Sequence, residues 1–159
     1  MGRLDDASAR RALADGPGTF HLDPGVVHFD AHADTADEID GNLASRGTPM
    51  RRLVESGAVL GRNFVQVELR GYWPPAEVFS SMRDQQMRDQ QMDQVWARGL
   101  AAVLDDAVAE AMHGCVALDV AEVCPPYDVA EITVNTAHRV VLELLVGLAV
   151  RRAATPTTV

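Results

Sequence analysis

Residues 26–35 read Val26-Val27-His28-Phe29-Asp30-Ala31-His32-Ala33-Asp34-Thr35, a short apolar run that opens into three metal-ligating side chains at alternate positions. Residues two apart on a strand share a face, so a strand over 26–30 brings Asp30, His32 and Asp34 together as it ends. A helix would turn His32 away from the two acids. Two carboxylates and an imidazole suit a divalent ion of borderline hardness, with Mn2+, Zn2+ and Fe2+ ahead of Ca2+ or Mg2+. The plainer alternative is a strand-end acid cluster that caps a neighbouring helix or stands solvated.

On either side of this stretch short strands alternate with longer helices, which predicts an α/β layered fold with a mainly parallel sheet. A weak helix over 5–15 breaks at Gly16-Pro17-Gly18. After the strand and the ligand loop come a helix near 48–57 closed by Gly57, a strand at 64–69 and the turn Gly71-Tyr72-Trp73-Pro74-Pro75. The pentad Met-Arg-Asp-Gln-Gln then occurs twice in succession from Met82, ending at Met92, and is read as a small tandem duplication. Beyond it Met92, Val95, Trp96, Leu100, Val103, Leu104, Ala107 and Val108 recur at three- and four-residue steps, predicting one amphipathic helix whose apolar face covers the sheet. A last strand at about 115–123 reaches Glu122. Asp128 with Glu131 then forms a capping-box-like start to a helix running to about Arg152. Ligands of open α/β sheets bind at the carboxyl ends of the strands, which assigns Asp30, His32, Asp34 and Glu122 to one cleft.

A chain of 159 residues with 47% hydrophobic content is sized for one core. Its net charge of −9 excludes nucleic acid as the expected partner, because no basic cluster exists to neutralise phosphates. An acidic surface favours a cationic ligand, although solubility alone explains it. No stretch reads as long and apolar enough to cross a bilayer, and residues 1–24 lack the apolar centre of a secretory signal, so a cytoplasmic location is expected. Cys115 and Cys124 read as reduced, buried small hydrophobes. A metal site from His113, Cys115 and Cys124 matches no strong zinc spacing.

Four blocks carry a family resemblance: F-D-A-H-A-D-T (29–35), G-N-L-A-S-R-G-T-P-M-R-R (41–52), N-F-V-Q-V-E-L-R-G-Y (63–72) and L-D-V-A-E-V-C-P-P-Y-D-x-A-E-I-T (118–133). In this order they resemble the ureohydrolases, the arginase and agmatinase group of binuclear manganese hydrolases, with the agmatinase branch nearest. The resemblance implies an arginase-like three-layer α/β sandwich, a mainly parallel sheet flanked by helices, here incomplete. Residues 1–24 form a weakly matching lead, 25–152 the family-like core and 153–159 a tail of one partial domain. It further implies Mn2+ on Asp30, His32 and Asp34, a substrate guanidinium paired by Glu122 with Asp119 in support, and homo-oligomeric assembly. The implied reaction hydrolyses agmatine or a related small guanidino compound to urea and an amine.

The departures are equally specific. Relatives carry a G-G-D-H segment, whose histidine is a metal ligand, and an S-x-D-x-D segment, whose aspartates complete both metal sites. Neither occurs in these 159 residues. The sequence passes from Met112 through His113-Gly114-Cys115 directly into Val116-Ala117-Leu118-Asp119, where the family inserts a strand, a ligand loop and a helix. Arg46 stands where the family has a histidine that assists proton transfer, and arginine cannot take that role. Glu68 stands where relatives carry a small residue such as glycine, and a buried charge there is costly. The shortened ligand set implies at most one weakly held metal and little or no hydrolysis. The alternative to an active hydrolase is therefore an inactive remnant that at most binds one metal or a partner subunit. Loss of an inner strand and its helix also predicts exposed apolar faces and association.

Overall fold

The computed structural model of the protein describes residues 24–72, 74–111 and 116–154. The helix expected over 5–15, together with Trp73, His113 and Cys115, lies outside them.

Four parallel strands form one sheet in the order β3-β2-β1-β4. Strand β1 (Gly25–Phe29) is buried along its whole length, as the Val-Val-His-Phe run demands of an inner strand covered on both faces. Its neighbours are β2 (Phe64–Leu69) and β4 (Val116–Val120), with His28 opposite Gln66 on one side and Asp119 on the other. The outer strand β3 (Arg88–Gln91) pairs with β2, placing Asp89 opposite Gln66. One polar row, Asp89, Gln66, His28 and Asp119, thus crosses the sheet.

Strand alternation splits the core into two layers. Val26 and Phe64 face α1 (Pro49–Glu55) and α2 (Ala76–Asp84), where Val54, Val78 and Met82 close over them with Met87. Val27, Phe29, Val65 and Val67 face the opposite side. They meet Val95 of α3 (Met92–Arg98), Val103, Leu104 and Ala107 of α4 (Leu100–Ala111), and Val140 of α5 (Ile132–Ala154). A fully buried side chain such as Phe64 contributes on the order of 2 kcal/mol by leaving water. The α/β sandwich expected from the sequence is the observed architecture.

Several elements differ from the sequence reading. The helix expected to run unbroken from Met92 is two helices, because Gly99 adopts φ 82° between them. That turn changes the helical phase and leaves Trp96, expected in the core, 78% exposed. The last strand stops at Val120, and Glu122 follows at φ 61° outside it. At the start of α5, Asp128 accepts the amides of Thr133 and Val134 at 2.9 and 2.8 Å. Glu131, expected to complete a capping box, stands instead at φ 58° in the preceding turn. Cys124, expected to be buried, is an exposed free thiol.

Two further differences concern the sheet edge and its covering helix. Met82-Arg83-Asp84 of the first pentad copy closes α2, whereas Arg88-Asp89-Gln90-Gln91 of the second is β3. Helix α5 exposes Leu145, Val146 and Val150, the apolar exposure anticipated for a shortened sheet. Residues Val129–Val150 have a mean hydropathy of 1.3, so by length and composition this segment does meet the requirement for a membrane span, against the sequence reading. The same helix packs Val140 and Leu144 into the protein.

Candidate metal centre

The ligand loop begins one residue earlier than expected. Phe29 is the last strand residue, and Asp30 to Asp34 lie in the connection that follows. Pairing nevertheless persists into the loop: the amide of Asp30 donates to Val67 O at 3.2 Å, and that of Arg70 to Ala31 O at 3.0 Å. Asp30 then folds its carboxylate back to accept the His32 amide at 2.8 Å. Asp34 adopts φ 53°, and its carbonyl accepts the amides of Met50 and Arg51 at the start of α1. The first turn of α1, whose leading amides have no helical partner, is thereby tied to the last acid of the motif.

Asp30 is the centre of the arrangement. Its Oδ1 lies 3.4 Å from Nδ1 of His32, and its Oδ2 lies 3.4 Å from Nε2 of His28. On the solvent side, His32 Nδ1 also lies 3.4 Å from Glu122 Oε1. Two groups able to hold a divalent ion result, Asp30 with His32 and Glu122, and Asp30 with His28 and Asp34. Of the three expected ligands, His32 and Asp34 flank the Asp30 carboxylate but fall in different groups. Glu122, expected to face a substrate, reaches His32. Asp119 sits 3.7 Å from Nε2 of His28.

Burial and charge oppose each other at the two aspartates. Desolvation pushes the Asp30 carboxyl up, but the His28 side chain, the His32 amide and the charges of both histidines leave it below its ordinary value. Asp34 is raised, first by burial and next by the charge of Asp30, with Glu122 adding to the repulsion and both histidines opposing it. Among the described residues neither acid has an arginine within ion-pair distance.

His28 is the residue that the expected ligand set omits. Its side chain is 1% exposed, and its Nε2 has no hydrogen-bond partner, the approach to Asp30 being too long for a good charge-assisted bond. The alternation that selects Asp30 also selects position 28, so the signal was present in the sequence. Imidazole and carboxylate donors with an orphaned buried nitrogen fit a divalent cation.

A cleft of about 670 Å3 opens over this edge, lined by Asp30, His32, Asp34, Arg46, Tyr72 and Glu122 among others. Arg46 therefore stands at the site, where its guanidinium offers charge and donors but no proton acceptor. Tyr72 is fully exposed at the rim. Glu68, on the second strand, has φ 75° at a bulge between Val67 and Leu69. The bulge interrupts alternation, so that Leu69 joins Phe64 on the α1 side.

Known proteins share this architecture. A profile of the arginase family matches residues 8–115. The formimidoylglutamase of Halalkalibacterium halodurans is 35% identical over 100 residues, covering 63% of this chain and 30% of that protein. The human mitochondrial guanidino acid hydrolase is 26% identical over 171 residues, covering 80% and 49%. The crystal structure of Trypanosoma cruzi formiminoglutamase with Mn2+ superposes with a TM-score of 0.55 at 28% identity, covering 66% of this chain and 34% of that one. The chain thus spans between about a third and a half of the length of these relatives. The profile match ends at Cys115, where the sequence runs directly into β4. The longer alignment leaves some tens of the human protein's positions without a counterpart here. With the profile covering most of the sequence and the parallel sheet carrying the D-x-H-x-D loop at its carboxyl edge, this chain belongs to the arginase family.

Proposed function

We propose that the carboxyl edge of β1 and β4 is a ureohydrolase-type site that holds a divalent cation of the Mn2+ class and pairs a guanidinium on Glu122. Agmatine or a related guanidino compound is the ligand, with urea and an amine as hydrolysis products. The observation that carries this reading is the convergence of Asp30, His32, Asp34 and Glu122, from two separate strand ends, on one cleft. Two relatives support it: the Trypanosoma formiminoglutamase was crystallised with Mn2+, and the human protein is a hydrolase of guanidino acids.

When bound, such an ion lowers the pKa of water toward neutrality. The rest falls to side chains. A planar guanidinium presents paired N–H donors that the Glu122 carboxylate accepts side by side, fixing the ligand's orientation at the cleft. Asp30 and Asp34 supply negative charge beneath it, and the part-exposed His32 closes the group toward solvent. Arg46, in the position of the family's proton-transferring histidine, leaves that step without an acceptor.

One observation favours a second reading, that of an inactive remnant which still binds metal. Glu122 Oε1, the oxygen assigned to the guanidinium, already lies 3.4 Å from His32. Urea release from agmatine and 4-guanidinobutyrate with added Mn2+ separates the two. Release abolished by Asp30→Ala supports the hydrolase, and none under any metal, with an unchanged circular dichroism spectrum, supports the remnant.

A further inference from the structure

We propose that His28 is itself a metal ligand, so that this chain holds a single divalent cation beneath the ligand loop, between His28 Nε2 and the carboxylates of Asp30 and Asp34. The inference rests on the reading that the strand edge takes a metal. It differs in making His28, and not His32, the imidazole that binds.

Geometry comes first. The potential ligand atoms of His28, Asp30 and Asp34 all lie within 4.8 Å of one another. The 3.4 Å from His28 Nε2 to Asp30 Oδ2 equals the edge of a tetrahedron whose bonds are ~2.1 Å, the usual metal–nitrogen and metal–oxygen length. Closing the whole group on one ion asks each ligand to move by about half an ångström.

Burial separates this group from the outer one. Asp30, 5% exposed, is common to both; the inner group adds His28, 1% exposed, and the partly buried Asp34, whereas the outer adds His32 and Glu122 at 43% and 51%. The buried Asp30 carboxylate, with the partly buried Asp34 beside it, calls for a compensating positive charge, and no arginine among the described residues lies within ion-pair distance of either. Nε2 of His28 is a buried nitrogen without a hydrogen-bond partner, 3.4 Å from Asp30 Oδ2 and 3.7 Å from Asp119 Oδ2. An ion at that point compensates the carboxylates and satisfies the nitrogen together.

The tautomer adds a condition. Ligation through Nε2 places the proton on Nδ1, which then needs an acceptor. The group facing Nδ1, at 3.3 Å, is the side-chain amide of Gln66, whose Oε1 is itself buried without a partner. Turning the amide over presents that oxygen to Nδ1–H, but it ends the bond that Gln66 now donates to Ala33 O and requires the two oxygens to move apart. Phe64 holds the ring edge-on, at 6.3 Å between centroids, and limits its rotation.

The test uses the full chain with Co2+ and Mn2+ as probes. In the Co2+-loaded protein, proton NMR is expected to show a hyperfine-shifted imidazole N–H that exchanges slowly with water, as a buried ring requires. A rapidly exchanging signal, as the part-exposed His32 would give, contradicts the proposal without any substitution being made. By calorimetric titration, His28→Gln is expected to weaken Mn2+ binding at least tenfold, and His32→Gln less than threefold. The reverse order overturns this inference while leaving the strand-edge metal site standing. No binding by the unaltered chain removes both.

Discussion

The carbonyl oxygen of Asp34 accepts the amide of Met50 at 3.0 Å, from a backbone turned into the left-handed region at φ 53°. A side chain of the candidate centre is therefore placed by the start of a helix fifteen residues downstream. What holds that helix start also holds the site.

Thr48 is the fastening point. It is fully buried, accepts the amide of Ser45 at 2.9 Å, and lies within hydrogen-bonding reach of the carbonyls of Leu43 and Ser45. Thr48→Val keeps the shape but strands those groups, and is expected to cost roughly 1–3 kcal/mol. Urea denaturation measures that loss. Metal titration is expected to show weaker binding in the same variant, because Asp34 follows α1.

Glu68 carries two burdens, a left-handed backbone and a mostly buried carboxylate. Glycine removes both, so Glu68→Gly is expected to stabilise the fold by about 1–2 kcal/mol from the backbone alone. Burial raises the Glu68 carboxyl above its ordinary 4.5, partly countered by Arg70. With the folded value the higher one, its relative contribution to stability is full below the unfolded pKa and is lost as pH rises through the folded value. Melting curves from pH 4 to 8 should show that decline in the parent chain and a smaller one in Glu68→Gly, where the raised Asp34 carboxyl keeps its own share.

Asp128 has the opposite sign. The amides of Thr133 and Val134 hold its carboxyl below the ordinary 3.8. Its contribution is present above the unfolded pKa and lost as pH falls through the lower folded value. Asp128→Ala is expected to lower the melting temperature at neutral pH, with the difference from the parent vanishing in acid. A constant difference at every pH would assign the effect to something other than the carboxylate.

Helix α5 leaves Leu145, Val146 and Val150 more than half exposed. Sedimentation velocity is expected to show association in the parent chain that Val146→Glu reduces, since a charge at a covered apolar position is costly. Identical sedimentation of the two would mean that this face is not what associates.

How much the sequence discloses varies with the kind of information involved. Strands β1 and β2 are legible because Val-Val-His-Phe and Phe-Val-Gln-Val favour extended structure whatever surrounds them. The pentad Met-Arg-Asp-Gln-Gln is not: its first copy closes a helix with residues 82–84 and its second pairs as a strand with residues 88–91, so the neighbouring edge of β2 decides between them. Gly99 hides a change of helical phase behind an unbroken apolar rhythm, which is why Trp96 reads as core. At the site, the spacing of Asp30, His32 and Asp34 is visible, but their division around Asp30 is not. It depends on a left-handed Asp34 and on Glu122 turning at φ 61°, conformations that carry no distinctive signal in non-glycine residues.

The most direct measurement is the Mn2+ content of the full chain after equilibrium dialysis, compared with that of Asp30→Ala. One ion per chain, lost in the variant, is the predicted result. Two tightly held ions per chain, no ion at saturating Mn2+, or an ion indifferent to Asp30 would contradict a single site organised around that carboxylate.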